Sequence, residues 1–222
     1  MLLDNSFFGA LFNVLIPAFI LFFFSREGLL GPAYSFLLAL IFPLVFGILY
    51  MIQKNKWSFF SIVGFVSILL TGGFGLLQLE AGWLIAKETG IPLVIGIFIL
   101  FSQKTKKPFM KIMLAQVLNL DMISKDYKKN NKGNLLKKHI KYANGFFALT
   151  FFIGAILNFS LASSLLQSPP GTPEYAREVG TMGALAFPVI VLPVMIFIFV
   201  IFTVLAIVIE KNTKKQITEY MS

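Results

Sequence analysis

Residues 179–209 read VGTMGALAFPVIVLPVMIFIFVIFTVLAIVI, a run of 31 residues without a single charged side chain. The hydrocarbon core of a bilayer is about 30 Å thick, and a helix needs about 20 residues to cross it. Phe, Leu, Ile and Val fill the run continuously, with no polar stripe at the helical period, so an amphipathic helix facing water is not expected. The run therefore predicts a transmembrane helix.

Further apolar runs of similar length occur before it. The stretch from Ala81 to Phe101 is interrupted by Lys87 and Glu88, but its length also fits a span. The first run follows Asp4 and has no basic segment ahead of it, which is not the pattern of a cleavable signal peptide. We predict an all-α, polytopic integral membrane helical bundle that forms one domain over residues 1–222. Its six transmembrane helices are expected at about 6–24, 30–52, 57–78, 82–102, 143–166 and 183–209.

The composition agrees with a membrane protein. Apolar residues make up 57% of the 222 residues and charged residues 13%, whereas soluble globular domains are about half apolar and a quarter charged. These values argue against a water-soluble enzyme and against a disordered chain. The chain contains no cysteine, which excludes disulfides and thiol chemistry.

The distribution of Lys and Arg predicts the orientation. With six spans, the second and fourth loops and both termini share one side, which carries 16 Lys. The opposite side carries three basic residues, namely Arg26, Arg177 and Lys87. Basic residues concentrate in cytoplasmic loops. We therefore expect both termini in the cytoplasm, and a bacterial inner (plasma) membrane as the location.

The net charge of +9 comes from one connector, residues 103–142, which holds eleven Lys and two Asp. Its first half spaces Phe109, Ile112, Met113, Val117 and Leu120 three or four residues apart, which predicts a short interfacial amphipathic helix in the fourth loop. Its second half, from Ser124 to His139, resembles a solvated turn. The connector's charge favours the bilayer and anionic lipid headgroups as partners rather than nucleic acid. The predicted membrane-surface basic residues are Lys104, Lys106, Lys107 and Lys111.

Lys87 and Glu88 are the most informative polar residues within a predicted span. Ionisable side chains inside a membrane are costly and usually face a bundle interior. Glu80, Trp83 and Lys87 share one helix face by their spacing. Two interpretations stay open: an interfacial anchor that snorkels with its counter-ion, or a buried substrate or proton site.

Other polar residues are expected at a similar depth. Thr71 and Gln78 are seven residues apart near the end of the third span, and Asn158 lies in the fifth. An amide that is unpaired inside a membrane is costly, so such residues usually bond across helices. The candidate polar cluster comprises Thr71, Gln78, Glu80, Lys87, Glu88 and Asn158.

Motifs for catalysis are missing from the sequence. It has no phosphate-binding Gly-rich loop followed by Lys, no Gly-x-Ser-x-Gly elbow and no paired-His metal site. We therefore expect no enzyme activity, no cofactor and no metal. In the last outer loop, Thr172 before Pro173 is expected to cap a short helix that runs through Arg177.

Three stretches in a fixed order resemble the intracellular septation protein A (YciB) family of bacterial inner-membrane proteins. They are residues 72–87, KKPFMKIML at 106–114 and NFSLA at 158–162. Residues 168–172, SPPGT, with 188–193, PVIVLP, are similar to a related branch with a longer carboxy-terminal half. The resemblance implies a role in envelope integrity and in cell-division or elongation complexes, without established catalysis. The Phe74-Gly75 pair departs from the Leu-Thr that usually follows the family's glycine pair.

Two functions follow from these observations. The first is a multi-pass membrane protein of the septation-protein-A type that supports the cell envelope or cell division through contacts with other membrane proteins. The alternative is a small transporter or lipid-handling protein with a polar site near the outer leaflet around Lys87 and Glu88. Lys87 and Glu88 favour the alternative, together with Pro43, Pro92 and Pro188, which lie in the even-numbered spans at similar short motifs. These motifs suggest an internal repeat, and internal repeats are common in transporters.

Overall fold

The computed structural model describes residues 15–26, 28–54, 59–105 and 107–221. Within these residues the regular structure is helical, and the prediction of an all-α chain is confirmed. A π-helical segment, Phe187–Val191, connects two of the helices, and a 3-10 helix, Ile217–Tyr220, follows the last of them. The α-helices are α1 (Ile16–Phe24), α2 (Gly31–Lys54), α3 (Phe59–Leu76), α4 (Ala81–Ser102), α5 (Phe109–Leu114), α6 (Leu120–Lys129), α7 (Gly133–Leu165), α8 (Pro173–Ala186) and α9 (Leu192–Thr213).

In the described part of the chain, four helical stretches are long and apolar enough to span a membrane: Gly31–Leu49, Ala81–Ser102, Gly133–Leu165 and Pro173–Thr213. The first predicted span, 6–24, lies mostly outside the described residues, which include only its last part as α1. The third, 57–78, begins outside them and continues as α3, 18 residues long. Many large apolar side chains on the four stretches are exposed, among them Val94, Ile156 and Phe199. Such exposure is expected where lipid replaces water as the solvent.

Proline residues lie inside three of these stretches. Pro43 lies in α2 and Pro92 in α4, and Pro188 lies in the π-helical segment between α8 and α9. Proline has no amide hydrogen and its ring clashes with the preceding turn of an α-helix. The wider turn of the π-helical segment accommodates Pro188 without ending the helical path.

The chain forms two compact units. Unit 1 is Met1–Thr89 with Leu157–Ile190, and unit 2 is Gly90–Ile156 with Val191–Ser222. In unit 1, α1 packs against α2 and α8, and α2 packs against α3. The unit 1 core consists of Ile20, Leu21, Phe36, Ala39, Leu84, Ala162, Leu166, Tyr175, Ala176, Val179 and Met182.

The start of α8 follows from its sequence. The Thr172 hydroxyl accepts a hydrogen bond from the amide of Tyr175 at 3.2 Å, and Pro173 occupies the first turn. A threonine cap followed by proline is a common helix start. This confirms the predicted cap, although α8 extends well beyond Arg177, to Ala186.

Unit 2 is organised around a buried amide. The side chain of Asn144 donates to the carbonyl of Ile99 at 2.7 Å and accepts from the amide of Met110 at 3.0 Å. It thereby connects α7 to the end of α4 and to the beginning of α5. The described core of unit 2 includes Ile99, Met110, Ile123, Tyr127, Phe147, Ala148, Ile209 and Tyr220.

The connector differs from its prediction in two respects. The helix at Phe109 ends at Leu114, and it buries Met110 and Leu114 while Ile112 and Val117 are exposed. The predicted short helix is therefore present but ends before Val117 and Leu120, and its placement in the membrane interface stays a prediction. The chain leaves the helix because Leu118 forms a β-bridge with Met221 and the next residue, Asn119, caps α6.

The second half of the connector is mostly helical rather than a solvated turn. Only residues 130–132 separate α6 from α7, and α7 begins at Gly133, ten residues before the predicted span. His139 is half-buried, and its Nδ1 lies 3.3 Å from the hydroxyl of Tyr127. The turn was overestimated because its Asn and Lys residues also suit the polar ends of two helices.

Candidate functional site

Lys87 is buried in unit 1, where its ammonium group has three side-chain partners. Its Nζ lies 2.6 Å from Oε1 of Glu88, 2.6 Å from Oγ1 of Thr71 and 3.2 Å from Oγ of Ser67. The Lys87 side chain is 5% exposed. Of the two open interpretations, this geometry favours a buried site over a side chain that snorkels to the surface.

The sequence explains how the partners meet. Ser67 and Thr71 are one turn apart on α3, so their hydroxyls lie on one face of that helix. The Thr71 hydroxyl also donates to the carbonyl of Ser67 at 3.0 Å, which leaves its lone pairs for Lys87. A buried ammonium group needs a counter-ion and hydrogen-bond acceptors to offset its lost hydration. Glu88 and the two hydroxyls supply both.

A cavity of about 190 Å³ lies beside this cluster within unit 1. Glu88 and Thr71 line it, whereas Lys87 does not. Its other walls are apolar and come from α1, α2 and α8, with Phe36, Leu40 and Met182 among them. The site therefore presents a carboxylate to an otherwise apolar space.

Small residues contribute to this space. Gly72, Gly180 and Gly183 line the cavity. A Cβ atom at Gly180 would lie 3.0 Å from Cβ of Leu21 and 3.1 Å from the carbonyl oxygen of Ala18, so α1 and α8 approach closely there. A Cβ at Gly183 would meet no atom within 4 Å. Gly180 is thus needed for helix packing, whereas Gly183 leaves open volume.

Glu88 has capacity for a further partner. Its side chain is 25% exposed, and Oε1 contacts Lys87. Among the described residues, Oε2 accepts no hydrogen bond. A carboxylate has about four lone-pair sites, so Glu88 can bind a donor from the cavity while it remains paired with Lys87.

The structure brings together three of the six residues of the predicted polar cluster: Thr71, Lys87 and Glu88. Gln78 lies beyond the end of α3 with a φ of 52° and is exposed, so it does not share a helix face with Thr71. Glu80 is exposed and precedes the first residue of α4. Asn158 is half-buried in α7 and does not line the cavity. Trp83 is 60% exposed, unlike the buried Lys87 that was expected on the same face.

Ser67 is a residue that the sequence reasoning missed. Its spacing of four from Thr71 was the available signal, because two hydroxyls one turn apart within an apolar helix mark a polar stripe. Among the described residues, the buried hydroxyls of Ser35, Thr89 and Tyr175 in unit 1 have no hydrogen-bond partner. Such unpaired buried groups are uncommon in proteins.

The predicted membrane-surface lysines belong to unit 2. Lys104, Lys107 and Lys111 are exposed, and Nζ of Lys104 lies 5.0 Å from the ring centre of Phe101. Lys106 lies outside the described residues. In the described part of the chain, no three His, Asp or Glu side chains are close enough to hold a metal ion.

No protein-family model, no curated protein and no solved structure matches this chain.

Proposed function

We propose that this chain is a multi-pass membrane protein that binds a small amphiphilic molecule in the unit 1 cavity, as a transporter or a lipid-handling protein. One observation supports this most strongly: Glu88 lines an apolar cavity while its partner Lys87 is buried behind it and held by Thr71 and Ser67. A purely structural ion pair would not need one of its charges to face an open space.

The chemistry of the walls selects the ligand class. The apolar surfaces favour a hydrocarbon portion, and the carboxylate favours a cationic or hydrogen-bond-donating group at its end. The volume of about 190 Å³ is below the range of about 300 to 1,000 Å³ that is typical of drug-sized ligands. The site therefore suits a short amphiphile or one end of a longer one.

Short six-carbon probes test this proposal. Hexylammonium, hexan-1-ol and hexyl sulfate are added separately to the purified protein in detergent, and the thermal unfolding midpoint is recorded. A ligand that binds only the folded state raises the midpoint. We expect hexylammonium to stabilise most and hexyl sulfate least.

Three variants identify the site. Glu88→Gln should reduce the hexylammonium effect to that of hexan-1-ol, whereas Glu80→Gln, the same change at an exposed carboxylate, should leave it intact. Gly183→Leu should abolish the effects of both probes, because a larger side chain there occupies open volume. Equal shifts for the three probes, or an equal response in the Glu88 and Glu80 variants, would refute the proposal.

The proposed topology has six spans with both termini cytoplasmic, in a bacterial plasma membrane, and includes no catalytic step. The support is the four membrane-length helical stretches and the excess of Lys on one side of the sequence. Because the chain has no cysteine, Lys132→Cys provides a single label in the connector. A maleimide that cannot cross membranes should label it only after cell lysis. Labelling in intact cells would place the connector outside.

A role in the cell envelope or in cell division, as the resemblance to septation protein A implies, is a second candidate. The ordered motifs favour it, and the close approach of Gly72 and Gly75 to Leu40 and Phe36 shows the same kind of glycine packing between helices of this chain. Close approach through glycine is one way in which membrane helices associate. In the bacterium that encodes the chain, deletion should alter cell shape, sensitivity to envelope stress or the recovery of co-purifying membrane proteins. If all three are unchanged, this candidate fails.

A further inference from the structure

Unit 2 contains a second and larger cavity, of about 1,020 Å³, that is distinct from the Lys87 site. It is bounded by the end of α4, by α5 and α6, and by the beginning of α7. Five lysines line it, and Asp121 is the one acidic residue in its described lining. The lysines are Lys111, Lys128, Lys132, Lys137 and Lys141.

The charge of this lining is unusual for a cavity. Five lysines against one aspartate give 5 − 1 = +4. Like charges that surround one space repel one another, and an anion in that space relieves the repulsion. Gly133 also lines the cavity at the start of α7, and the amides at a helix start add positive potential. The cavity therefore suits a phosphate-bearing group.

An apolar groove of about 440 Å³ adjoins the cavity, and the two share Gln103 and Lys141. The groove runs along α4 and α7 and is lined by Leu100, Tyr142, Phe146, Leu149 and Phe152. Tyr142, Phe146 and Leu149 are exposed. A basic cavity that continues into an apolar groove matches the two parts of a phospholipid, whereas a free phosphate has no apolar part to fill the groove.

We propose that unit 2 binds one anionic phospholipid, with its phosphates in the lysine-lined cavity and an acyl chain in the groove. The charge of +4 favours a headgroup with two phosphates over one with a single phosphate. This assignment rests on the proposed placement of the chain in a membrane, but it does not depend on the ligand of the unit 1 cavity.

Native mass spectrometry of the full chain in detergent tests the assignment. After delipidation, the protein is titrated with tetraoleoyl cardiolipin, dioleoyl phosphatidylglycerol or dioleoyl phosphatidylcholine, and the dissociation constant of the first bound lipid is measured. We expect the tightest binding for cardiolipin and the weakest for phosphatidylcholine. Recovery of the chain in carbonate-washed membranes checks the membrane placement separately.

Two sets of variants with the same charge change distinguish a site from general attraction. Lys128→Gln, Lys137→Gln and Lys141→Gln together should weaken cardiolipin binding on the order of 100-fold, because each juxtamembrane lysine contributes roughly fivefold. The control combines Lys104→Gln, Lys129→Gln and Lys138→Gln, three exposed lysines of the same connector that do not line the cavity. It should weaken binding by only a fewfold. Equal weakening by the two sets would overturn the proposal.

The groove has its own variant. Gly145 lines it, and a Cβ atom there would meet no atom within 4 Å. The Gly145→Leu protein should therefore fold normally. It should bind the dioleoyl lipids more weakly than the native protein but bind glycerol 3-phosphate equally well. If glycerol 3-phosphate or inorganic phosphate competes as well as cardiolipin, and Gly145→Leu changes nothing, the ligand is a soluble phosphorylated molecule and the lipid assignment fails.

Discussion

Nζ of Lys87 on α4 lies 2.6 Å from Oγ1 of Thr71 on α3, which joins two apolar helices through a charged hydrogen bond. The same ammonium group contacts Oε1 of Glu88 at 2.6 Å. The hydroxyl therefore has two effects: it stabilises the packing of α3 on α4, and it holds Lys87 away from the cavity that Glu88 lines.

Removal of the Thr71 hydroxyl should destabilise unit 1. Hydrogen bonds to charged groups contribute about 1.5 to 3 kcal/mol, so Thr71→Val should lower the free energy of unfolding by about that amount. Denaturant titration of the purified protein in detergent measures it. Ser164→Ala is the control, because the exposed Ser164 hydroxyl donates to the carbonyl of Leu161 in its own helix. If the two variants are equally stable, the hydroxyl does not support Lys87.

Two glycines on α8 should respond differently to substitution by alanine, because one packs against α1 and the other faces open volume. Gly180→Ala should destabilise by about 1 to 3 kcal/mol, because its Cβ would press on Leu21 and on the backbone of Ala18. Gly183→Ala should be neutral or stabilising by up to about 1 kcal/mol, because alanine is the better helix former and space is available. The comparison uses the same unfolding assay. The reverse order would contradict the described contact of α1 with α8.

The carboxy-terminal segment is held to α6 by one carboxylate. Oδ2 of Asp126 accepts hydrogen bonds from Lys215 at 2.8 Å and from Tyr220 at 2.7 Å. These bonds, that of Lys215 before that of Tyr220, lower the pKa of Asp126 below its ordinary value of 3.8. When the pKa of a carboxyl is lower in the folded state than in the unfolded state, its ionised form stabilises the fold. This stabilisation is complete at a pH above the unfolded-state pKa, and it is lost as the pH falls through the folded-state pKa.

The thermal stability of the Asp126→Asn protein should therefore be less sensitive to acid than that of the native protein. Between about pH 5 and 2, the thermal midpoint of the native protein should fall more steeply than that of the variant. Asp121→Asn is the control, since it makes the same change at an exposed carboxylate of the same helix. Parallel pH profiles for native and Asp126→Asn proteins would show that the contact contributes nothing.

Tyr127 should ionise late in an alkaline titration. Its side chain is fully buried in unit 2, and burial raises its pKa to about 12. Because the folded-state value is raised, the associated stability is complete below about pH 10 and is lost as the pH rises through about 12. Absorbance at 295 nm follows tyrosinate formation, and Tyr127→Phe should reduce the amplitude of the latest phase by one tyrosine. An unchanged amplitude in the variant would contradict the burial of Tyr127.

Much of the fold can be predicted from hydropathy, because a bilayer requires long uninterrupted apolar helices. The π-helical segment at Pro188 cannot be read from the sequence, since Pro43 and Pro92 lie in helices that continue as α-helices. The connector was predicted less well. Its helices contact distant residues such as Tyr220 and Asn144, and the helical spacing of its apolar residues does not identify these partners.

The candidate site could be predicted in part. Lys87 and Glu88 stand out because charges inside apolar helices are rare, and Thr71 was placed near them by depth. Position along the chain also groups Gln78 and Glu80 with them, because the sequence does not reveal that the helices end at Leu76 and begin at Ala81. The packing of α1, α2 and α8 determines whether Lys87 or Glu88 lines the cavity. The spacing of residues along α4 does not predict this packing.

In the proposed function, Glu88 presents its carboxylate to an accessible cavity. Since the chain has no cysteine, Gly183→Cys reports on that cavity alone. Its rate of modification by a cationic and by an anionic methanethiosulfonate reagent is the measurement, with and without Glu88→Gln. We predict faster reaction with the cationic reagent, loss of that preference in Glu88→Gln, and protection by hexylammonium. The claim is contradicted if Gly183→Cys stays unmodified while the exposed control Gly82→Cys reacts, or if the preference is the same in both backgrounds.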